Sequence, residues 1–278
     1  MHTISAKPML NKAITSNIFG LTSHGIFIHT SSGKILFLTA DPWRGPLTVN
    51  LSKPIDNLSK LKVGDEVRLD YPRLIFLTFT IVIPEDAGVW QPEPIRFKKE
   101  DYPEVLRRAR RLSTALLAEA SSSPFLDVLK IAVDEKMEIS DKQNLMRAWL
   151  FKGKNAEQKG VLHALRRFIG LGAGLTPAGD DFIAGYLLAS FYLTGGMNHE
   201  IPPLLKEARA KTTSLSASLM ECAAEGSADE RLMDALRFIA EGGKDLVEIK
   251  KELLSYGSSS GIESLAGMAA AIFLNPLS

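Results

Sequence analysis

Asp181 and Glu263 sit at matching places in two similarly worded segments, PAGDDFIAG (Pro177–Gly185) and SSGIESLAG (Ser259–Gly267). In each, a hydroxyl residue comes first (Thr176, Ser258), a glycine falls in the first helical turn (Gly179, Gly261), and the acid follows two residues later. Ala-Gly then closes the block. Helical spacing puts Pro177, Asp181, Ala184, Gly185 and Leu188 on one face, and Ser259, Glu263, Ala266, Gly267 and Ala270 on the corresponding one. Two small-residue faces of this kind can pack closely and bring the acids together. A helix N-terminus favours ionised carboxylates unless burial or mutual repulsion dominates. Ionised, the pair suits a metal ligand, a partner for an amide or amine, or a base, and suits a general acid less well. The plainer account is that Asp180 and Asp181 only complement the helix dipole. It leaves the acidic twin Glu263 unexplained, and comparison of the copies favours Asp181, because Asp180 aligns with Ile262.

The segment before the first acid, IGLGAGLTPAGDD, carries Gly170, Gly172, Gly174 and Gly179. Thr176 then Pro177 reads as N-cap and first helical residue, since proline lacks only an N–H that would be unbonded there. Glycine inside a helix costs about 1 kcal/mol against alanine. Its presence at Gly179 points to a close backbone approach, either to a ligand or to another helix. The spacing does not fit G-x-G-x-x-G and the preceding residues look helical, so neither a dinucleotide nor a Walker loop is supported. An anion site at the helix start stays open. In KTTSLSASLMECAAEG, Thr212, Thr213 and Ser216 are spaced to share a helical face, for ligand contact or for bonding back to their own helix. Arg44, beside Gly45 and Pro46, is a turn guanidinium suited to a carboxylate or phosphate. His24, His29, His163 and His199 form no metal spacing, and there is no Ser-His-Asp motif.

These residues must be positioned by two kinds of structure. From Asn17 to Ile83, short runs of Ile, Val, Phe, Leu and Thr between turns predict strands, with a hairpin at Ser31–Gly33 and a turn at Gly64-Asp65. Leu74–Ile83 is apolar at nearly every position, as expected of one strand buried on both sides. PEDAGVWQPEP reads as a linker. Helical patterns follow at 102–120, 125–136, 141–151, 156–169, 177–194, 202–224, 228–240, 244–255 and 261–274. Strands first and helices afterwards predict an α+β chain. Residues 1–92 are expected to form a small antiparallel β barrel or sandwich. Residues 93–278 are expected to form a mainly α-helical domain with a pseudo-symmetric helix pair.

Composition narrows the partners. With 33 basic and 32 acidic residues among 278, the net charge is +1, so no basic field advertises nucleic acid or an anionic membrane. The single cysteine, Cys222, fits a reducing compartment. The longest uncharged run, Phe182–Asn198, is too short and too rich in glycine to span a bilayer. No secretory signal is legible at the start. A cytoplasmic protein is expected.

GLGAGLTPAGDDFIAG, KTTSLSASLMECAAEG and GSSSGIESLAG, in this order, resemble the family of oxamate carbamoyltransferase subunit AllH. Arg44-Gly45-Pro46-Leu47 is similar to that family's N-terminal half. Glu263 stands where the family is expected to carry aspartate. The resemblance implies a subunit working with FdrA-like and AllG-like partners in anaerobic allantoin breakdown. It also implies exchange of a carbamoyl group between oxamate and carbamoyl phosphate, with oxalurate and phosphate on the other side. The small-molecule site is expected at Gly172, Gly174, Thr176, Gly179, Ser259, Ser260 and Gly261, with Arg44, Thr213 and Ser216 as further contacts and Asp180, Asp181 and Glu263 as catalytic acids. Paired carboxylates would repel a phosphate unless Mg²⁺ or a lysine intervened, and would be better placed to hold an amide. Two other readings stay open. One is a stand-alone Mg²⁺-dependent enzyme on a phosphorylated or amide substrate, with Asp180, Asp181 and Glu263 as ligands. The other is a non-catalytic assembly subunit whose small-residue repeats only pack helices.

Overall fold

The computed structural model describes residues 3–4, 14–31, 33–55, 58–120, 122–151, 160–196 and 199–275. The chain divides into two compact units, residues 1–92 and 93–278.

The first unit is one curled eight-stranded sheet. Its strands are β1 (Thr3–Ile4), β2 (Ile14–Thr22), β3 (Gly25–Thr30), β4 (Ile35–Thr39), β5 (Thr48–Asn50), β6 (Glu66–Asp70), β7 (Arg73–Phe76) and β8 (Thr80–Val82). They lie in the order β1-β5-β4-β3-β2-β6-β7-β8, a half-barrel. Alternation does the sorting. Ile26 and Ile28 of β3 and Val67 and Leu69 of β6 turn inward and are fully buried, while Glu66 and Arg68 face solvent. The expected hairpin joins β3 to β4, with Gly33 N–H donating to Thr30 O and Ser32 lying outside the described residues.

Two details differ from the sequence expectation. The pair β4–β5 is parallel, not antiparallel. Asn50 Nδ2 donates to both Asp41 O and Trp43 O at 2.8 Å, folding the loop that carries Arg44 back beside β5. The apolar run Leu74–Ile83 is two strands and a turn rather than one strand. Leu77 at the turn is 85% exposed, and the Phe76 and Phe79 rings stack at 4.5 Å across it.

The helical unit comprises α1 (Tyr102–Leu117), α2 (Leu126–Val133), α3 (Ile139–Phe151), α4 (Val161–Leu165), α5 (Ala178–Thr194), α6 (Ile201–Lys211), α7 (Ser214–Ala224), α8 (Glu230–Glu241), α9 (Leu246–Leu254) and α10 (Ser260–Leu274). Part of the helix expected over 156–169 lies outside the described residues, and the described part is the short α4. The helix expected over 202–224 is two, because Thr212 is extended and Thr213 caps α7 by accepting from Ser216 N–H at 3.0 Å. Thr212 and Ser216 therefore share no helical face.

At the centre of this unit α5 and α10 lie side by side. From Gly261 to Leu274, every residue of α10 is buried, as expected of a helix apolar all round. A Cβ at Gly185 would overlap Ser264 O, and a Cβ at Gly267 would overlap Phe182 O. In the register that pairs Asp181 with Glu263, Gly185 pairs with Gly267 and Phe182 with Ser264. The two contacts are thus each other's images, and the helix pair is pseudo-symmetric at the backbone itself. Phe182 also stacks on Phe125 at 4.4 Å, with Phe168 and Trp149 completing an aromatic cluster beneath the glycine-rich loop.

Candidate functional site

The starts of α5 and α10 meet at a cleft of about 600 Å³. Its wall is built from the loop Ala173–Thr176, the turn Gly257–Ser260, Ser122 and Ser123 before α2, and Glu263. Gly174 has φ of +100°, a left-handed conformation that favours glycine, and this lets the loop turn over the cleft with no side chain in the way.

Both helix starts lack a side-chain cap, whereas Thr213, Asp229 and Asp245 cap α7, α8 and α9. The N-cap positions are Pro177 and Ser259, so Thr176 lies one residue outside the position expected for it. Thr176 lines the cleft, and its hydroxyl bonds to Asp181 and lies 3.4 Å from Ser260 Oγ. In the first turns, Gly179 N–H donates to Leu171 O at 2.8 Å and Gly261 N–H to Tyr256 O at 3.1 Å. Among the described residues nothing accepts from the N–H of Ala178 or Ser260, and both line the cleft.

The costly glycines have a different cause from a ligand. A Cβ at Gly179 would overlap Phe168 O, and one at Gly261 would overlap Leu253 O. Each helix start is seated on a backbone carbonyl just before it, and only glycine fits. The placement of Gly172 is similar, since a Cβ there would lie 2.8 Å from Ala178 N.

Asp181 and Glu263 are brought together, and burial decides their charge. Asp181 is 4% exposed. Desolvation pushes its carboxyl up to about 8, the hydroxyls of Ser260 and Thr176 oppose this, and the charges of Glu263 and Asp180 add to it. The expectation of ionised anchors is overturned for Asp181 at neutral pH, because burial exceeds the helix dipole. Glu263 is 1% exposed, and burial raises its carboxyl against the opposing hydroxyls of Ser123 and Ser259. Among the described residues its Oε2 has no hydrogen-bond partner. An orphaned carboxyl oxygen in the wall of a polar cleft is costly unless something else satisfies it. Behind the pair, burial holds the Tyr256 phenol well above its usual range, with Asp229 and Asp181 adding to this and Arg231 opposing.

The other expected site residues serve the scaffold. Asp180 accepts from Gly170 N–H at 2.8 Å and from Thr212 Oγ1, so its oxygens tie the glycine-rich loop to the α6–α7 junction. Thr213 Oγ1 donates to Leu175 O at 2.7 Å and Ser216 Oγ to the same oxygen at 3.5 Å, holding the loop from behind. Arg44 belongs to the β unit, with its guanidinium 6.0 Å from the Trp90 ring centre. The three acids do not assemble as metal ligands. Among the described residues no group of three His, Cys, Asp or Glu is placed to hold a metal ion, and Asp180 is already engaged. Ser122, Ser123 and Tyr256 escaped the sequence reading. The serine run before Pro124 was the one local signal for Ser122 and Ser123, and it has no periodic partner to mark it.

Fold and site together define an α+β protein with a hydroxyl-rich cleft where two buried carboxyls meet at paired helix starts. Residues 168–272, which carry both helix starts, match the family model described as oxamate carbamoyltransferase subunit AllH. No solved structure matches the chain. No helix among the described residues is long and apolar enough to cross a membrane.

Proposed function

We propose that this chain is a subunit of an oxamate carbamoyltransferase complex, acting with FdrA-like and AllG-like subunits in allantoin breakdown, and that the cleft binds the amide end of oxamate or oxalurate. The family match over both helix starts supports the class. The observation that carries the site is Glu263 Oε2, buried, without a partner among the described residues, and in the cleft wall. An amide N–H supplies the missing donor in either protonation state of Glu263. The N–H groups of Ala178 and Ser260, with the cleft hydroxyls, are donors for the ligand's oxygens.

Calorimetric titration of oxamate, oxalurate and carbamoyl phosphate into the chain, alone and copurified with its partners, tests this. Micromolar to millimolar binding of oxamate or oxalurate, weakened about tenfold in Glu263→Gln, is the expected result. Absence of binding in every combination refutes the site. The reading as a pure assembly subunit is favoured by one observation, that Gly179, Gly185, Gly261 and Gly267 all answer to backbone contacts. Under it, Asp181→Asn and Glu263→Gln leave complex activity intact while Gly185→Leu disrupts folding.

A further inference from the structure

The cleft presents a difficulty for anionic ligands that the molecule itself resolves. Among the described residues no lysine or arginine lines it, and the one titratable wall residue among them is an acid, Glu263. The groups facing Asp181 are Glu263 from α10, Asp180 from its own helix and Tyr256 from the turn before α10. The nearby cation is engaged elsewhere. Arg231 is held by Asp229 through Nε at 2.8 Å and Nη2 at 2.9 Å, and stacks on the Tyr256 ring at 4.9 Å.

Resting on the cleft reading above, we infer that the cleft takes a small carboxylate anion together with a proton. The proton is held on Asp181, behind the hydroxyl pair of Thr176 and Ser260. The argument is one of hydrogen-bond direction. The Ser260 and Thr176 hydroxyls, 3.4 Å apart, both bond to Asp181, and both residues line the cleft. An ionised carboxylate only accepts, so it draws the hydroxyl hydrogens inward and turns oxygen lone pairs toward the ligand. A protonated carboxyl donates to Ser260 instead, and the Ser260 O–H is then released to point at the anion. The proton thus replaces the absent cation and sets the hydroxyl pair as donors. Burial of Asp181, which raises its carboxyl to about 8, keeps that proton in place at neutral pH.

Oxamate and its uncharged methyl ester, titrated into the full chain from pH 7 to 9.5, test the inference. Oxamate affinity is expected to fall about tenfold per pH unit above pH 8, as required when one proton accompanies each anion, while the ester changes less than about twofold. Titration at pH 8.5 in buffers of differing ionisation enthalpy is expected to show proton uptake with oxamate only. Asp181→Asn, whose amide donates at every pH, is expected to bind oxamate with no pH dependence. A flat oxamate profile in the unaltered chain, or an unchanged slope in Asp181→Asn, overturns the inference and leaves the cleft as a binding site. Failure of both compounds to bind at any pH overturns the two together.

Discussion

Replacing Asp181 by asparagine should change how the stability of the helical unit depends on pH. The carboxyl moves from an ordinary value of 3.8 to about 8 in the folded chain. Between those limits the folded state keeps a proton that the unfolded state has released. Stability therefore falls as pH rises through this window, by about 1.4 kcal/mol per pH unit, and the loss levels off above pH 8. The whole interval amounts to roughly 6 kcal/mol, a large share of the 5–15 kcal/mol that stabilises typical domains. Asparagine keeps the shape and removes the proton. Urea unfolding of both proteins, followed by helical circular dichroism at pH 5, 6 and 7, should therefore show the unaltered chain losing roughly 3 kcal/mol relative to Asp181→Asn across that range. Any constant offset from the substitution itself cancels in the slope. Parallel pH profiles would refute the claim that Asp181 is buried in its protonated form.

Alanine at Gly185 or Gly267 places a methyl group against Ser264 O or Phe182 O, and should destabilise the helical unit by about 3 kcal/mol or more, measured by chemical unfolding. Asp180→Ala strips the acceptor from Gly170 N–H and Thr212 Oγ1 and should cost about 3 kcal/mol in the same assay, with Asp180→Asn recovering about half, since one acceptor oxygen remains. Glu263→Gln should leave the thermal midpoint within about 2 °C, because Oε2 makes no bond to lose, while oxamate affinity falls about tenfold.

The pairing of the two helix starts was legible in the sequence because it is carried by residue types at fixed spacing. Ala184-Gly185 and Ala266-Gly267 mark a close approach, and the structure places that approach there. The charge of the acids was not legible, because it depends on what covers them. Ser122 and Ser123 reach the site from far along the chain, and no periodicity announces a neighbour across such distances. Gly179 was expected to mark a close backbone approach, either to a ligand or to another helix, and the choice was left to the tertiary fold there and at Gly261. Phe168 O and Leu253 O supply the answer. The split of 202–224 turned on Thr213, whose cap interrupts an otherwise helix-favouring run.

The mirrored contacts of Gly185 on Ser264 O and Gly267 on Phe182 O act as a double latch on the sliding of α5 against α10. A slip of one turn would displace Asp181 from Glu263 by about 5.4 Å and would drive both glycines' neighbours into main-chain oxygen. The spacing of the two acids is therefore gauged by the polypeptide backbone, as in a fixed caliper, and not by side chains that substitution or thermal motion can reset. The cleft wall at Glu263 is therefore held at a fixed distance from the Asp181 carboxyl behind it.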